Sequence, residues 1–170
     1  MHPLDVEDIL KTLTVVVDTK EQITQAFLER CNAFQRYERK HLETGDYTGI
    51  IQIGGDWVTL PVAVERKMNI GEICNNFCKQ RSRFEREFER AKRDNLKLYI
   101  LIECGSWEKI YSGYYHSLMR PRSLVASILT WLSRYNCQVL MCEQKTTGQL
   151  IWDILYYETR QYLLNYEGGG

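Results

Sequence analysis

Apolar positions along the chain change period several times, and each change marks an element. Residues 13–17 (LTVVV) form a β-branched run ending at Asp18, and the apolar positions that follow, Ile23, Ala26, Phe27, Ala33 and Phe34, recur at roughly helical spacing. A strand and then a helix are predicted there. Residues 36–40 are polar, and Thr44-Gly45-Asp46 leads into apolar stretches at 47–53 and 57–64 separated by Gly54-Gly55-Asp56. Two strands joined by a Gly-Gly turn, a hairpin, are predicted. Asn69 with Glu72 three residues later is a capping-box variant, and Ile73, Phe77, Phe84, Phe88 and Ala91 then fall on one face of a helix predicted to run to about Asp94. A strand over 96–103 follows. Residues 106–115 read as helical, and Pro121 suits the first turn of another helix with Leu124, Val125, Ile128, Leu129 and Leu132 as its buried face. Asn136 breaks that pattern; 138–142 is a last strand, and Leu150, Ile151, Ile154, Leu155, Tyr162 and Leu163 set a final helix over 148–166. The order β-α-β-β-α-β-α-α-β-α mixes a hairpin with crossover helices, so the expected fold class is α/β, a central mixed β-sheet flanked by helices.

With 170 residues, 44% hydrophobic and 26% charged, the chain is expected to form one folded domain over 1–167, with Gly168-Gly169-Gly170 a flexible tail or a leftover of cloning. No repeat or linker divides it, and this composition excludes a disordered chain. No apolar run approaches the ~20 residues of a membrane span, and the opening MHPLDVEDIL is acidic where a signal peptide is basic, so a cytoplasmic protein without a membrane partner is expected. The 22 basic and 22 acidic residues balance, which excludes a uniformly basic nucleic-acid coat but leaves room for a local patch.

None of the six cysteines falls in a C-x-x-C pair, and a zinc site is not indicated. Cys74 and Cys78, one helical turn apart, could co-ligate a metal or be plain thiols packed with Ile73 and Phe77. His2, His41 and His116 are scattered, and the chain has no phosphate-binding G-x-x-x-x-G-K-[ST], so no nucleotide cofactor is expected.

The chemistry concentrates at the end of the apolar strand LPVAV. Glu65 and Lys67 are two residues apart, so the pleat points both to one face and makes a carboxylate and an ammonium neighbours, while Arg66 faces away. Asp46 opens the partner strand, and strand pairing can bring a second carboxylate beside Glu65. Two converging carboxylates suit a hard, hydrated divalent cation, and an adjacent lysine can orient water or steady charge on a phosphate. Read blandly, Asp46 is a turn residue and Glu65 and Lys67 a charged strand end.

The combination Gly45-Asp46-Tyr47, a hairpin, then Glu65-Arg66-Lys67 resembles the XPF-type structure-specific nucleases, of the PD-(D/E)XK superfamily. Their opening strand ends in D-x-R-E, for which Asp18-Thr19-Lys20-Glu21 matches with Lys for Arg. The resemblance covers about residues 13–103 and implies a restriction-endonuclease-like fold and a Mg²⁺- or Mn²⁺-dependent endonuclease for branched or structured DNA, acting in replication, recombination or repair. It implies Asp46 and Glu65 as metal ligands, Lys67 as the water-assisting residue, Asp18 and Glu21 as an acidic rim, and Arg66 as an anchor of the local network or of a phosphate. In the helix after the motif, Arg83 is the best counterpart of the family's basic residue. It heads a stripe with Arg86, Arg90, Arg93 and Lys97 that could track DNA phosphates or could be a solvent face held by pairs such as Arg81 with Glu85 and Glu89 with Arg93.

The resemblance further implies a homodimer, and the aromatic segments 107–115 and 152–166 could supply its contact or belong to the core. The helicase and helix-hairpin-helix parts of larger relatives are not seen, so the chain is most similar to the short stand-alone forms of bacteria and bacteriophages. The family's acid after E-R-K-x-x-x falls on Gly71, with Glu72 beside it, either a substitute or part of the helix cap. That departure keeps a second reading open: an inactive nuclease fold that dimerises and binds DNA for a partner. Glu38-Arg39-Lys40, a second E-R-K, precedes the G-D motif and follows no strand, and is read as a solvated charge run.

Overall fold

A computed structural model describes residues 3–166; the expected tail at 168–170 lies outside them. In chain order the elements are α1 (Pro3–Leu10), β1 (Thr14–Val17), α2 (Gln25–Cys31), β2 (Tyr37–Arg39), β3 (Tyr47–Ile53), β4 (Asp56–Lys67), α3 (Ile70–Phe77), α4 (Arg81–Arg93), β5 (Lys97–Glu103), α5 (Trp107–Ser112), α6 (Pro121–Arg134), β6 (Cys137–Cys142), a one-turn 3₁₀ helix (Gln144–Thr146) and α7 (Thr147–Leu164). The strands form one mixed six-stranded sheet in the order β2-β1-β3-β4-β5-β6, with helices flanking it, as the pattern predicted. By packing, the described chain divides into a first unit of residues 3–63 and 148–166 and a second of residues 64–147, with β4 running from one into the other.

In the first unit, β1 is a wholly buried Thr-Val-Val-Val run of the kind that sits inside a sheet. It pairs antiparallel with β3, Val17 opposite Tyr47, and parallel with β2, Val16 opposite Glu38. The turn between β3 and β4 places both Gly54 and Gly55 at positive φ, which two-residue hairpin turns require and side-chain-bearing residues resist. Thr24 caps α2, accepting a hydrogen bond from the Phe27 amide at 3.2 Å. That helix is shorter than the periodicity suggested, because residues 19–24 are turn and irregular backbone and Phe34 is buried from beyond its end.

The second unit is built around an aromatic cluster in which Phe77, Phe84 and Phe88 surround Trp131, with ring centroids 5.0–6.2 Å from it. Edge-to-face arrangements dominate, as ring quadrupoles favour. Two expectations are corrected here. The helix predicted from Ile70 to Asp94 is two helices, broken at Cys78-Lys79-Gln80. There the Gln80 amide reaches the Asn75 carbonyl at 3.1 Å, while the seven-residue step from Phe77 to Phe84 keeps the apolar face in phase. In α6 the buried face is Leu124, Ile128 and Trp131, with Leu129 exposed. Cys74 is buried and Cys78 exposed at the helix break, one a core thiol and the other a surface thiol, in keeping with the plain-thiol reading.

Candidate functional site

In the second unit, the end of β4 delivers the pair that alternation predicts. Lys67 Nζ donates to Glu65 Oε1 at 2.6 Å, with side chains only 6% and 12% exposed. The ammonium also lies 5.4 Å from the Phe84 ring centroid, a cation–π contact. Burial pushes the Glu65 carboxyl up to about 6; Lys67 opposes the rise, and Glu87 and Glu72 add to it. Within the pair the bond goes to Oε1, and Oε2 of Glu65 accepts no hydrogen bond among the described residues.

On the opposite face, Arg66 donates to Glu103 Oε2 at 3.1 Å. Glu103, the last residue of β5, is a buried acid that the sequence reading missed. Its signal is the single carboxylate closing the apolar run KLYILIE.

The strand then turns into α3 through its cap. Asn69 Oδ1 accepts from the Glu72 amide at 3.0 Å, and Glu72 Oε2 accepts from the Met68 amide at 2.8 Å. Glu72 is thereby engaged in the cap. At Gly71 an added Cβ would stand 2.7 Å from the His116 carbonyl oxygen, so packing itself selects glycine there.

The first unit carries the other motif residues. Gly45 has φ of 75°, which explains the glycine before Asp46. The Asp18 amide donates to the Asp46 carbonyl at 2.8 Å, extending the β1–β3 ladder and setting two acidic residues side by side. Burial alone would raise the Asp18 carboxyl, but hydrogen bonds from the Leu42 and Lys20 amides, the Lys20 ammonium and His41 outweigh it and hold it below its usual range. Glu21 Oε2 accepts from Tyr47 Oη at 2.7 Å and from Arg30 at 3.1 Å, while Arg30 Nε donates to the same hydroxyl at 2.9 Å. Buried Arg30 was not foreseen.

The segment Glu38-Arg39-Lys40 is corrected as well. It is exposed, but Tyr37–Arg39 is an edge strand, and Arg39 donates to the carbonyls of Thr19 and Glu21 at 3.0 and 2.7 Å. Its guanidinium thus fastens the turn that carries Asp18 and Glu21.

On α4, Glu85 and Glu89 are engaged from the end of α6 rather than along their own helix. Arg134 pairs with Glu85 at 3.0 Å, and Tyr135 Oη donates to Glu89 at 2.7 Å. The pairs named for the solvent-face alternative, Arg81 with Glu85 and Glu89 with Arg93, do not form; Arg81 lies over the Trp131 ring and Arg93 pairs with Asp94. Arg83 and Arg86 are exposed and make no ion pair among the described residues, while Arg90 is half-buried. Among the described residues, no group of three or more His, Cys, Asp or Glu side chains is gathered as a metal-binding set. None of the described helices is long and apolar enough to cross a membrane.

Residues 17–152 match a family model described as the ERCC4 domain. No curated protein matches the chain. Among solved structures it is similar to XPF from Aeropyrum pernix, with a TM-score of 0.60 and 19% identity over 92% of this chain and 75% of that one. It is likewise similar to XPF from Aeropyrum pernix in complex with DNA, with a TM-score of 0.59 and 19% identity over 92% of this chain and 76% of that one. At this identity the likeness is one of fold.

Proposed function

Because the chain belongs to the ERCC4 domain family, we propose that it is a divalent-metal-dependent endonuclease that hydrolyses phosphodiester bonds of branched or otherwise structured DNA, folded as a single nuclease domain. The observation that carries this reading is the buried Glu65–Lys67 pair at the end of β4. A lysine held 2.6 Å from a carboxylate away from bulk water is costly unless the pair is used or well compensated.

Asp46 and Glu65, each on its motif, would hold the ion. The donor chemistry fits, since both are hard oxygen ligands and Glu65 Oε2 is not engaged by Lys67. Mg²⁺ or Mn²⁺, when bound, would supply Lewis-acid polarisation of the phosphate. Lys67 would orient the attacking water or steady negative charge on the phosphate. Arg66, tied to Glu103, would hold the strand end in place, and Asp18 and Glu21 would position the turn beside Asp46. Arg83 and Arg86, with Arg90 behind them, would contact DNA phosphates. A homodimer belongs to this reading, supported by Tyr157 and Leu164, apolar side chains that α7 leaves exposed.

One observation favours the second reading, a DNA-binding scaffold without activity: position 71, where the family has an acid, is closed to any side chain by the His116 carbonyl. Cleavage of duplex, flap, fork and four-way-junction DNAs with Mg²⁺ or Mn²⁺, and with a chelator, decides between them. Asp46→Asn and Glu65→Gln are expected to abolish cutting while leaving DNA affinity similar or higher. Binding of branched DNA without cleavage under any divalent ion selects the scaffold, and cleavage that persists in excess chelator sinks the metal mechanism.

A further inference from the structure

Beyond the catalytic motif, the second unit holds a cavity of about 410 Å³ lined by Asn69, Gly71, Cys104, Lys109, Tyr114 and His116, among others. It begins two residues past Lys67 on one side and one residue past Glu103, the partner of Arg66, on the other. Its volume lies within the ~300–1,000 Å³ range of small-ligand pockets.

Three features define what fits. Among the described residues, the lining's full charge is the Lys109 ammonium, joined by the His116 imidazole, with no carboxylate beside them, so the cavity favours an anionic ligand. Lys109 spends one donor on the Cys104 carbonyl at 2.8 Å, which leaves donors of its three for a phosphate. Tyr114, 77% exposed, offers an aromatic face that makes few contacts of its own.

The wall bearing Tyr114 is built in place. Gly113 ends α5 in the left-handed region at φ 74°, and the Tyr114 amide bonds back to the Lys109 carbonyl at 2.9 Å. Tyr115 Oη then donates to the Met119 carbonyl at 2.8 Å, and the His116 carbonyl rests over Gly71. Glycine at 71 is the opening that lets this wall close down beside the helix start.

A nucleotide combines both features, an anionic phosphate and a flat π-face. Bases in a duplex are stacked and cannot present that face, whereas an unpaired base can lie on an aromatic ring. We infer that this cavity takes one unpaired nucleotide of a DNA strand, its base on Tyr114 and its phosphate at Lys109, next to the strand end that carries Glu65 and Lys67. The inference rests on the endonuclease reading and deepens it: the enzyme would select structured DNA by requiring an unpaired nucleotide beside the cut.

Cys104, exposed in the lining, reports occupancy without any cleavage. The full chain in chelator is treated with N-ethylmaleimide alone, with a short oligothymidylate, with a duplex of the same length or with thymidine monophosphate, and labelling is read cysteine by cysteine by mass spectrometry. The oligothymidylate is expected to slow Cys104 labelling several-fold and to leave Cys78, exposed but outside the cavity, unchanged. Tyr114→Ala should remove the protection and weaken oligothymidylate binding by about 5- to 150-fold, while Tyr114→Phe retains both; at an exposed position neither should move the melting temperature.

Absence of protection, equal protection by the duplex, or an affinity untouched by Tyr114→Ala overturns the inference. So does stronger protection by the monophosphate than by the strand, which would make this a site for free nucleotides. A protein that cuts branched DNA yet leaves Cys104 unprotected loses the pocket and keeps the endonuclease reading; one that protects Cys104 but never cuts does the reverse.

Discussion

Replacing Gly71 with alanine should destabilise the protein, even though glycine is a poor helix former. Removing Gly from a helix gains about 1 kcal/mol. Against that gain, a Cβ at position 71 would stand 2.7 Å from the His116 carbonyl oxygen and 3.1 Å from Asn69 Oδ1, short of the 3.4 Å at which ordinary contact begins. The nearer obstacle is backbone, held by hydrogen bonds from Tyr115 to Met119 and from the Ser117 amide to the Tyr115 carbonyl, so it cannot swing aside as a side chain would. Overpacking of this kind costs roughly 1–3 kcal/mol, which leaves a net loss of about 1 kcal/mol and lowers the melting temperature by about 2–4 °C at this chain length. Gly71→Asp should behave similarly. A carboxylate in the first turn gains about 0.3–1 kcal/mol from the helix dipole, and the lower helix propensity of Asp offsets most of that. Thermal unfolding of the three proteins measures it, and melting temperatures at or above wild type for both variants would refute the packing argument. Restoring the family's acid is expected to bring no large gain in cleavage; a large gain would show that position 71 is open to a side chain after all.

Glu72→Gln is expected to cause only a modest loss of rate and little change in melting temperature, since Gln can accept from the Met68 amide as Glu72 does; a sharp loss would give Glu72 a part in the chemistry. On α4, Arg83→Ala and Arg86→Ala should weaken DNA binding and each reduce the salt slope by about 1 without moving the melting temperature, whereas Arg81→Ala should cost stability, because that guanidinium lies 5.3 Å from the Trp131 ring centroid. Fluorescence anisotropy across a salt series, with melting curves alongside, separates the two outcomes. Burial pushes the Cys31 and Cys137 thiols up to about 11. The folded state therefore holds protons that the unfolded chain releases near pH 9, and stability should fall as pH rises from about 9 to 11. Below pH 9 these thiols and Cys74 should resist alkylation until the protein unfolds, while Cys78 and Cys104 react.

What the sequence determined by itself is local. Alternation along LPVAVERK put Glu65 and Lys67 on one face and Arg66 on the other, and the 2.6 Å pair and the Arg66–Glu103 bond follow that parity. The Gly-Gly turn, the Asn69 cap and the apolar face of α3 and α4 were equally legible, because each is set by residues within one or two turns of one another.

Tertiary structure decided what depends on partners distant in the chain. A three-residue exposed strand, β2, carries no hydrophobic pattern and exists only because β1 lies beside it. The break between α3 and α4 is invisible to a periodicity that continues in phase across it. Arg30 met Glu21 and Tyr47, and Arg39 met the carbonyls of Thr19 and Glu21, only once the chain had folded back on itself. Gly71 looked like a lost acid until the His116 carbonyl, 45 residues on, was seen to occupy the space. Local stereochemistry is written in neighbouring residues, whereas steric exclusion and buried charge pairing are properties of the packed chain, and it is those that fix how the motif residues are held.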